Sequence, residues 1–163
     1  MEGVRYVFPL LAFALGVVAA EQIKSRFGKE REMHWRQAVL LVEILLLFLV
    51  GFLPHELDMA ATALVSFTCA MQVQAFRKVR GYAYASTMCI GNLRSGMEAF
   101  SIWLREKSPE QLRRMEHYFG VILCFAVGAG VGGNLSIRYG IPMIWVSCML
   151  LTVSFLLMFQ EKT

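Results

Sequence analysis

An acidic residue within an apolar run is the clearest chemical feature of this chain. Glu43 lies inside the stretch 38–50, in which all the remaining residues are apolar. An ionisable side chain within a membrane span is costly to bury and commonly marks an ion pathway or a proton relay. The alternative role is a structural pin, in which the carboxylate pairs with a neighbouring helix or faces a wet crevice. The sequence leaves both interpretations of Glu43 open.

Two amide side chains follow in the next apolar run. Gln72 and Gln74 are two residues apart, so on a helix they point about 200° away from each other. At most one of them can therefore line a given pathway. The alternative role for such amides is hydrogen bonding between helices.

The segment 87–96 is the most distinctive part of the chain, because glycine permits a backbone break. Asn92 and Arg94 would place an amide and a cation at such a break, and Arg94 can pair with Glu98 on one helix face. A polar break within a membrane is what a solute or ion site requires. A tight helix crossing sealed by the Arg94–Glu98 pair is the alternative. The predicted pathway residues are Glu43, Gln72, Gln74, Gly91, Asn92, Arg94 and Glu98.

The composition predicts an all-α membrane protein. Hydrophobic residues make up 57% of the 163 residues, whereas a soluble domain is roughly 45–50% apolar. A helix needs about 20 mostly apolar residues to cross the hydrocarbon core. We therefore predict a polytopic transmembrane helical bundle that forms a single domain over residues 1–163. The predicted helices are roughly 6–23, 35–53, 59–76, 83–104, 118–135 and 141–159, of which 83–104 is more polar and is expected to be broken or re-entrant.

The chain contains an internal repeat, in which residues 6–28 return in altered form at 118–140. A second apolar segment follows each copy. The aligned pairs include Tyr6 with Tyr118, Leu11 with Leu123, Gly16 with Gly128 and Arg26 with Arg138. Repeated membrane-spanning units are a common plan for transporters.

Small residues in both copies predict close helix packing. Gly128 and Gly132 form a GxxxG pattern, which lets helix backbones approach each other in a membrane. Gly16 and Ala20 are the equivalent pair in the first copy. The overlapping GxGxxG pattern is not a dinucleotide site, because it lies inside an apolar helix and not between a strand and a helix.

The distribution of charge predicts the topology. The net charge is +4, but the basic residues cluster in short loops beside apolar helices, as topology signals do and as nucleic-acid-binding surfaces do not. The positive-inside rule places loops 24–34 and 77–81 in the cytoplasm. If segment 83–104 crosses the membrane, the two repeats are parallel. If it is re-entrant, the repeats are inverted, which fits the charges better.

The sequence lacks the residue patterns of enzymes and metal sites. The four cysteines lie apart within apolar stretches without a CxxC pair, and the histidines lie in separate loops and helix ends. No nucleophile is spaced with a base, and no phosphate-binding loop is present. We therefore expect no catalytic residue, no metal and no cofactor.

The motifs at 71–78, 81–83 and 86–95 resemble the YoaK-like family of bacterial membrane proteins, also called DUF1275. The resemblance runs over essentially the whole chain and is most specific in 71–95. Members usually carry a Thr-Gly-Asn element after a Gln-containing helix, and here Ile90 stands where the family usually has Thr. The resemblance implies the bacterial cytoplasmic membrane and a fold more than an activity.

Members of that family usually begin with a further helix and a first Thr-Gly-Asn element, so the resemblance also implies a shortened chain. Together, the repeat and the polar residues predict a small-solute or ion transporter or exporter. The alternatives are a non-transporting scaffold or partner subunit, and an inactive truncated member. The expected partners are the lipid bilayer and further copies of the chain in a homo-oligomer, with no nucleic acid.

Overall fold

The computed structural model describes residues 3–27, 32–79, 82–83 and 89–160. Over these residues the chain forms α-helices and one pair of two-residue strands, which confirms the predicted all-α class. The helices are α1 (Gly3–Phe27), α2 (Glu32–Val50), α3 (Asp58–Ala75), α4 (Cys89–Glu106), α5 (Pro109–Tyr139) and α6 (Ile144–Gln160). The strands β1 (Lys78–Val79) and β2 (Tyr82–Ala83) pair antiparallel.

Within the described parts of the chain, three helices are long and apolar enough to cross a membrane. They contain the spans Tyr6–Phe27, Pro109–Tyr139 and Ile141–Met158, counted over the described residues. Very little of each span is buried inside the protein. Exposed apolar surface on this scale is unusual in a soluble monomer, whereas lipid covers it in a membrane. The protein is therefore a membrane protein whose apolar helices associate with the bilayer.

The chain divides into two compact units. The first unit comprises Met1–Ala75 and Leu135–Thr163, and the second unit comprises Phe76–Asn134. In the first unit, α1 packs against α3 and α2, while α2 also packs against α3 and α6. The core of this unit is fully buried at Val39, Leu40 and Met71. The single membrane domain expected from the sequence stays a prediction.

Helices α2 and α6 lie antiparallel in the first unit. The indole Nε1 of Trp145, at the start of α6, donates to the carbonyl of Phe48 near the end of α2 at 3.3 Å. One turn further along α6, the thiol of Cys148 donates to the carbonyl of Ile44 at 3.9 Å. Because the position on α2 falls as the position on α6 rises, the two helices run in opposite directions.

Glycine ends α5 and sets the entry into α6. Gly140 has a φ of +72°, a left-handed conformation that costs other residues energy and that commonly closes a helix. Its N–H donates to the carbonyl of Ser136 at 2.8 Å. A short 3₁₀ turn, Ile141–Met143, then leads directly into α6. This tight connection keeps the end of α5 beside the start of α6.

Helix α4 is continuous over Cys89–Glu106, so the structure shows no backbone break at Gly91 or Gly96, where the sequence predicts one. A glycine in a helix interior costs only about 1 kcal/mol relative to alanine, so neighbouring helix formers can carry the backbone through it. Gly96 has a packing role instead, because a Cβ there would lie 3.2 Å from the Cβ of Tyr118 on α5. A re-entrant path for this segment is a separate matter and stays a prediction.

Candidate functional site

A cavity of about 320 Å³ lies among α2, α3 and α6 in the first unit. Glu43 and Leu47 of α2 line it, and α2 packs against both α3 and α6. The other lining residues belong to α3 and α6. The polar side chains that line the cavity are Glu43, Thr68, Cys69, Gln72 and Ser147. Aliphatic side chains make up the rest of the lining.

Glu43 is a buried carboxyl group without a hydrogen-bond partner in the part of the chain that the structure describes. Only 1% of the residue is exposed, and neither carboxylate oxygen has a partner among the described residues. A buried polar group that lacks a hydrogen bond costs free energy, and an unpaired charge costs much more. A structural pin would use the carboxylate to bind a neighbouring helix. The observed geometry provides no such contact among the described residues, and both oxygens are buried.

Helix α3 brings further polar groups to the same cavity. Thr68 and Gln72 are four residues apart, so they lie on one face of α3, and Cys69 lines the cavity beside them. The Thr68 hydroxyl donates to the carbonyl of Val65 at 2.9 Å. Its only proton is thereby used, and its oxygen keeps lone pairs that can accept a hydrogen bond.

The two glutamines have separate roles, as their spacing requires. Gln72 lines the cavity, whereas the amide of Gln74 donates to the carboxylate of Glu21 on α1. The Gln74–Glu21 contact joins α1 to α3 and is a charge-assisted hydrogen bond, which is stronger than one between neutral groups. Of the two amides predicted to belong to a pathway, the structure therefore brings only Gln72 to Glu43.

A known protein family matches almost the whole chain. The family model described as protein of unknown function DUF1275 matches residues 1–157. The chain belongs to the DUF1275 family. No curated protein and no solved structure matches this DUF1275 protein significantly. Its function must therefore be argued from its own residues.

In the DUF1275 protein, the polar residues of α4 lie on different faces of that helix. Asn92 is buried together with Gly96 and Ala99, at the spacing of one helix face. Arg94 and Glu98 are exposed, and no ion pair joins them in the described part of the chain. The segment 84–88 lies outside the described residues. Asn92, Arg94 and Glu98 therefore do not form the single polar cluster that the sequence predicts.

The two pairs of small residues that the sequence predicts to pack closely, Gly16 with Ala20 and Gly128 with Gly132, differ in their contacts. Gly16 packs on α3, where an added Cβ would collide with the carbonyl oxygen of Phe67 and would lie 2.9 Å from the Cβ of Ala70. Ala20 is completely buried. At Gly128 and Gly132, an added Cβ would meet no described atom within 4 Å. Within the chain, close helix packing is therefore observed at the first pair and not at the second.

Several residues of the site are not recognisable from the sequence alone. Hydroxyl and thiol groups are common in apolar helices, so Thr68, Cys69 and Ser147 do not stand out in sequence. Glu21 could have been found, because it is an acidic residue directly after the apolar run 6–20. The described residues hold no group of three side chains that could bind a metal ion.

Proposed function

We propose that this protein transports a small solute or ion across the bacterial cytoplasmic membrane and that Glu43 is part of the binding site. One observation carries the proposal, namely a buried carboxyl group whose two oxygens lack partners among the described residues, beside a cavity of about 320 Å³. Helix α2 is predicted from the sequence to cross the membrane, and a membrane-embedded ionisable residue is a functional-site hypothesis by default.

The packing of α2 against α6 supports a topology for the transporter. Loop 24–34 is basic and is assigned to the cytoplasm, so α2 ends outside. Helix α6 starts beside the end of α2, so α5 also ends outside and its start is cytoplasmic. With α3 ending and α5 starting in the cytoplasm, we expect both ends of α4 on the cytoplasmic side. This topology supports inverted repeats, a known transporter plan.

Labelling of engineered cysteines tests this topology. Ser108→Cys, between α4 and α5, is expected to react with a membrane-impermeant maleimide only after the cells are permeabilised. Glu56→Cys, between α2 and α3, is expected to react in intact cells. The unsubstituted protein gives the background from its four native cysteines. Labelling of Ser108→Cys from outside at the level of Glu56→Cys would show that α4 crosses the membrane.

Solute flux in proteoliposomes tests the proposed transport. Vesicles with the purified protein are challenged with potassium, sodium, alkylammonium ions and neutral solutes, and the flux is measured against protein-free vesicles. We expect at least one solute to be carried. Glu43→Gln removes the charge and keeps the shape, so it is expected to lower that flux at least about tenfold, the effect of 1.4 kcal/mol.

Glu56→Gln is the matched control for this experiment, because Glu56 is an exposed glutamate in a turn. Its flux is expected to equal that of the wild type. Flux that survives Glu43→Gln unchanged would refute the site. The absence of flux for every solute in the panel would refute transport.

A partner-subunit role is the second candidate, and the open glycine surface of α5 favours it. An added Cβ at Gly128 or Gly132 would meet no described atom within 4 Å, and none of the apolar window of α5 is buried. GxxxG surfaces promote helix association in membranes. A stable complex recovered in mild detergent, together with the absence of flux, would favour this role over transport.

A further inference from the structure

Among the described residues that line the cavity, Glu43 is the one carboxyl group, so the only full charge they can supply is negative. Glu43 is the only ionisable acidic or basic side chain among the described residues that line it, apart from the weakly acidic thiol of Cys69. An ionised carboxylate in such a site is stabilised when a cation neutralises it. The cavity is therefore suited to a monovalent cation more than to an anion or a zwitterion of large size.

Two groups of the cavity can only accept hydrogen bonds when Glu43 is ionised. Both oxygens of Glu43 lack a partner among the described residues. Thr68 has used its hydroxyl proton on the Val65 carbonyl, so only its lone pairs remain for a ligand. Gln72 and Ser147, in the same lining, can each accept or donate a hydrogen bond. A ligand that satisfies Glu43 and Thr68 must itself donate hydrogen bonds.

The aliphatic part of the lining distinguishes an organic cation from an inorganic one. Five of the ten lining residues are aliphatic, among them Leu47, Val65 and Leu151. A metal cation in a protein is surrounded by several oxygen ligands, whereas pockets for organic ligands are mostly apolar with a few placed polar groups. The volume of about 320 Å³ is at the small end of the range of roughly 300–1,000 Å³ for ligand pockets.

The described lining contains no aromatic side chain, and this bears on which kind of organic ammonium ion fits. Quaternary ammonium ions, which have no N–H group, are typically held by aromatic rings through cation–π contacts. A primary or secondary ammonium ion can instead donate N–H bonds to a carboxylate and to hydroxyl oxygens. This second kind of ligand matches the acceptors that Glu43 and Thr68 present.

We infer that the cavity binds a small primary or secondary organic ammonium ion. Its N–H groups would contact the Glu43 carboxylate, and its short hydrocarbon part would lie against the aliphatic residues of α3 and α6. The inference rests on the proposed function, in which this amine is the transported solute.

Calorimetric titration of the purified full-length protein tests the ligand class. The probes are n-butylammonium, its neutral analogue n-butanol, tetramethylammonium and potassium. We expect n-butylammonium to bind at least about tenfold more tightly than each of the other three. Glu43→Gln is expected to weaken its binding about 30-fold or more, because removing one partner of a buried charge pair costs about 2 kcal/mol or more. Glu56→Gln is expected to bind it like the wild type.

Thr68→Val provides a second variant that keeps the charge of Glu43. It removes one acceptor and is expected to weaken n-butylammonium binding about threefold to tenfold, as the loss of one hydrogen bond does. Tighter binding of n-butanol, potassium or tetramethylammonium, or binding unaffected by both variants, would overturn the inference. Amine binding without flux would refute transport and leave the ligand class standing. Flux of another solute without amine binding would refute the ligand class and leave transport standing.

Discussion

Replacing Gly16 with alanine is expected to lower the free energy of unfolding by about 2–3 kcal/mol, a typical cost of overpacking. In an unpacked helix the same change would stabilise by up to about 1 kcal/mol. The difference arises because the new Cβ would collide with the backbone carbonyl of Phe67 and would lie 2.9 Å from the Cβ of Ala70. A backbone atom cannot rotate away, so α1 and α3 must move apart.

Gly128→Ala is the matched control, since Gly128 is the repeat counterpart of Gly16 and has no described atom within 4 Å of an added Cβ. We expect it to be neutral or to stabilise by up to about 1 kcal/mol. Equilibrium unfolding in mixed detergent micelles measures both variants. Two effects of the same sign would contradict the conclusion that Gly16 is packed against α3 and Gly128 is not packed. Destabilisation by both would mean that the α5 surface is also packed, as it would be in an oligomer.

Replacing Gly51 with alanine is expected to destabilise the protein by about 2 kcal/mol, again by overpacking. An added Cβ would overlap the indole of Trp145, with Cε2 at 2.7 Å and Cδ1 at 2.8 Å. The ring has little freedom to move, because its Nε1 donates to the carbonyl of Phe48 at 3.3 Å. Its centroid also lies 5.1 Å from that of Phe52. The collision would therefore weaken the contact between α2 and α6.

A double-mutant cycle isolates this contact. Trp145→Ala removes the atoms that the new Cβ would strike, so Gly51→Ala should cost nearly nothing in that background. The expected coupling energy between the two changes is about 2 kcal/mol, within the range for residues in contact. Unfolding of the wild type, both single variants and the double variant gives this energy. Additive effects would show that Gly51 and Trp145 do not touch in the folded protein.

Much of the architecture follows from the sequence because it depends on local patterns. Long apolar runs predict helices, and the structure confirms the all-α class. The predicted helices over 6–23 and 118–135 lie within α1 and α5. The backbone break that the sequence predicts at Gly91 and Gly96 is not observed, since both lie within the helix α4. Glycine only permits a break, and at Gly96 the absence of a side chain leaves room for Tyr118.

The candidate site could be predicted only where one residue departs from its surroundings. Glu43 stands out because it is a charged residue among apolar ones. The spacing of Gln72 and Gln74 also determined that they lie on different faces, since that is a property of a single helix. The choice of Gln72 for the cavity and of Glu21 as the partner of Gln74 depends on which helices pack together. No local pattern contains that information.

The sequence by itself therefore determined the class of the protein, its apolar helices and the position of Glu43. The tertiary structure alone decided that Glu43 has no partner among the described residues, that Thr68 and Ser147 share its cavity, and that α2 and α6 run antiparallel. The physical reason is the same for all three. Each depends on contacts between helices far apart in the chain, such as that of Trp145 with Phe48 across 97 residues. Packing complementarity decides such contacts, and composition and periodicity describe only one helix at a time.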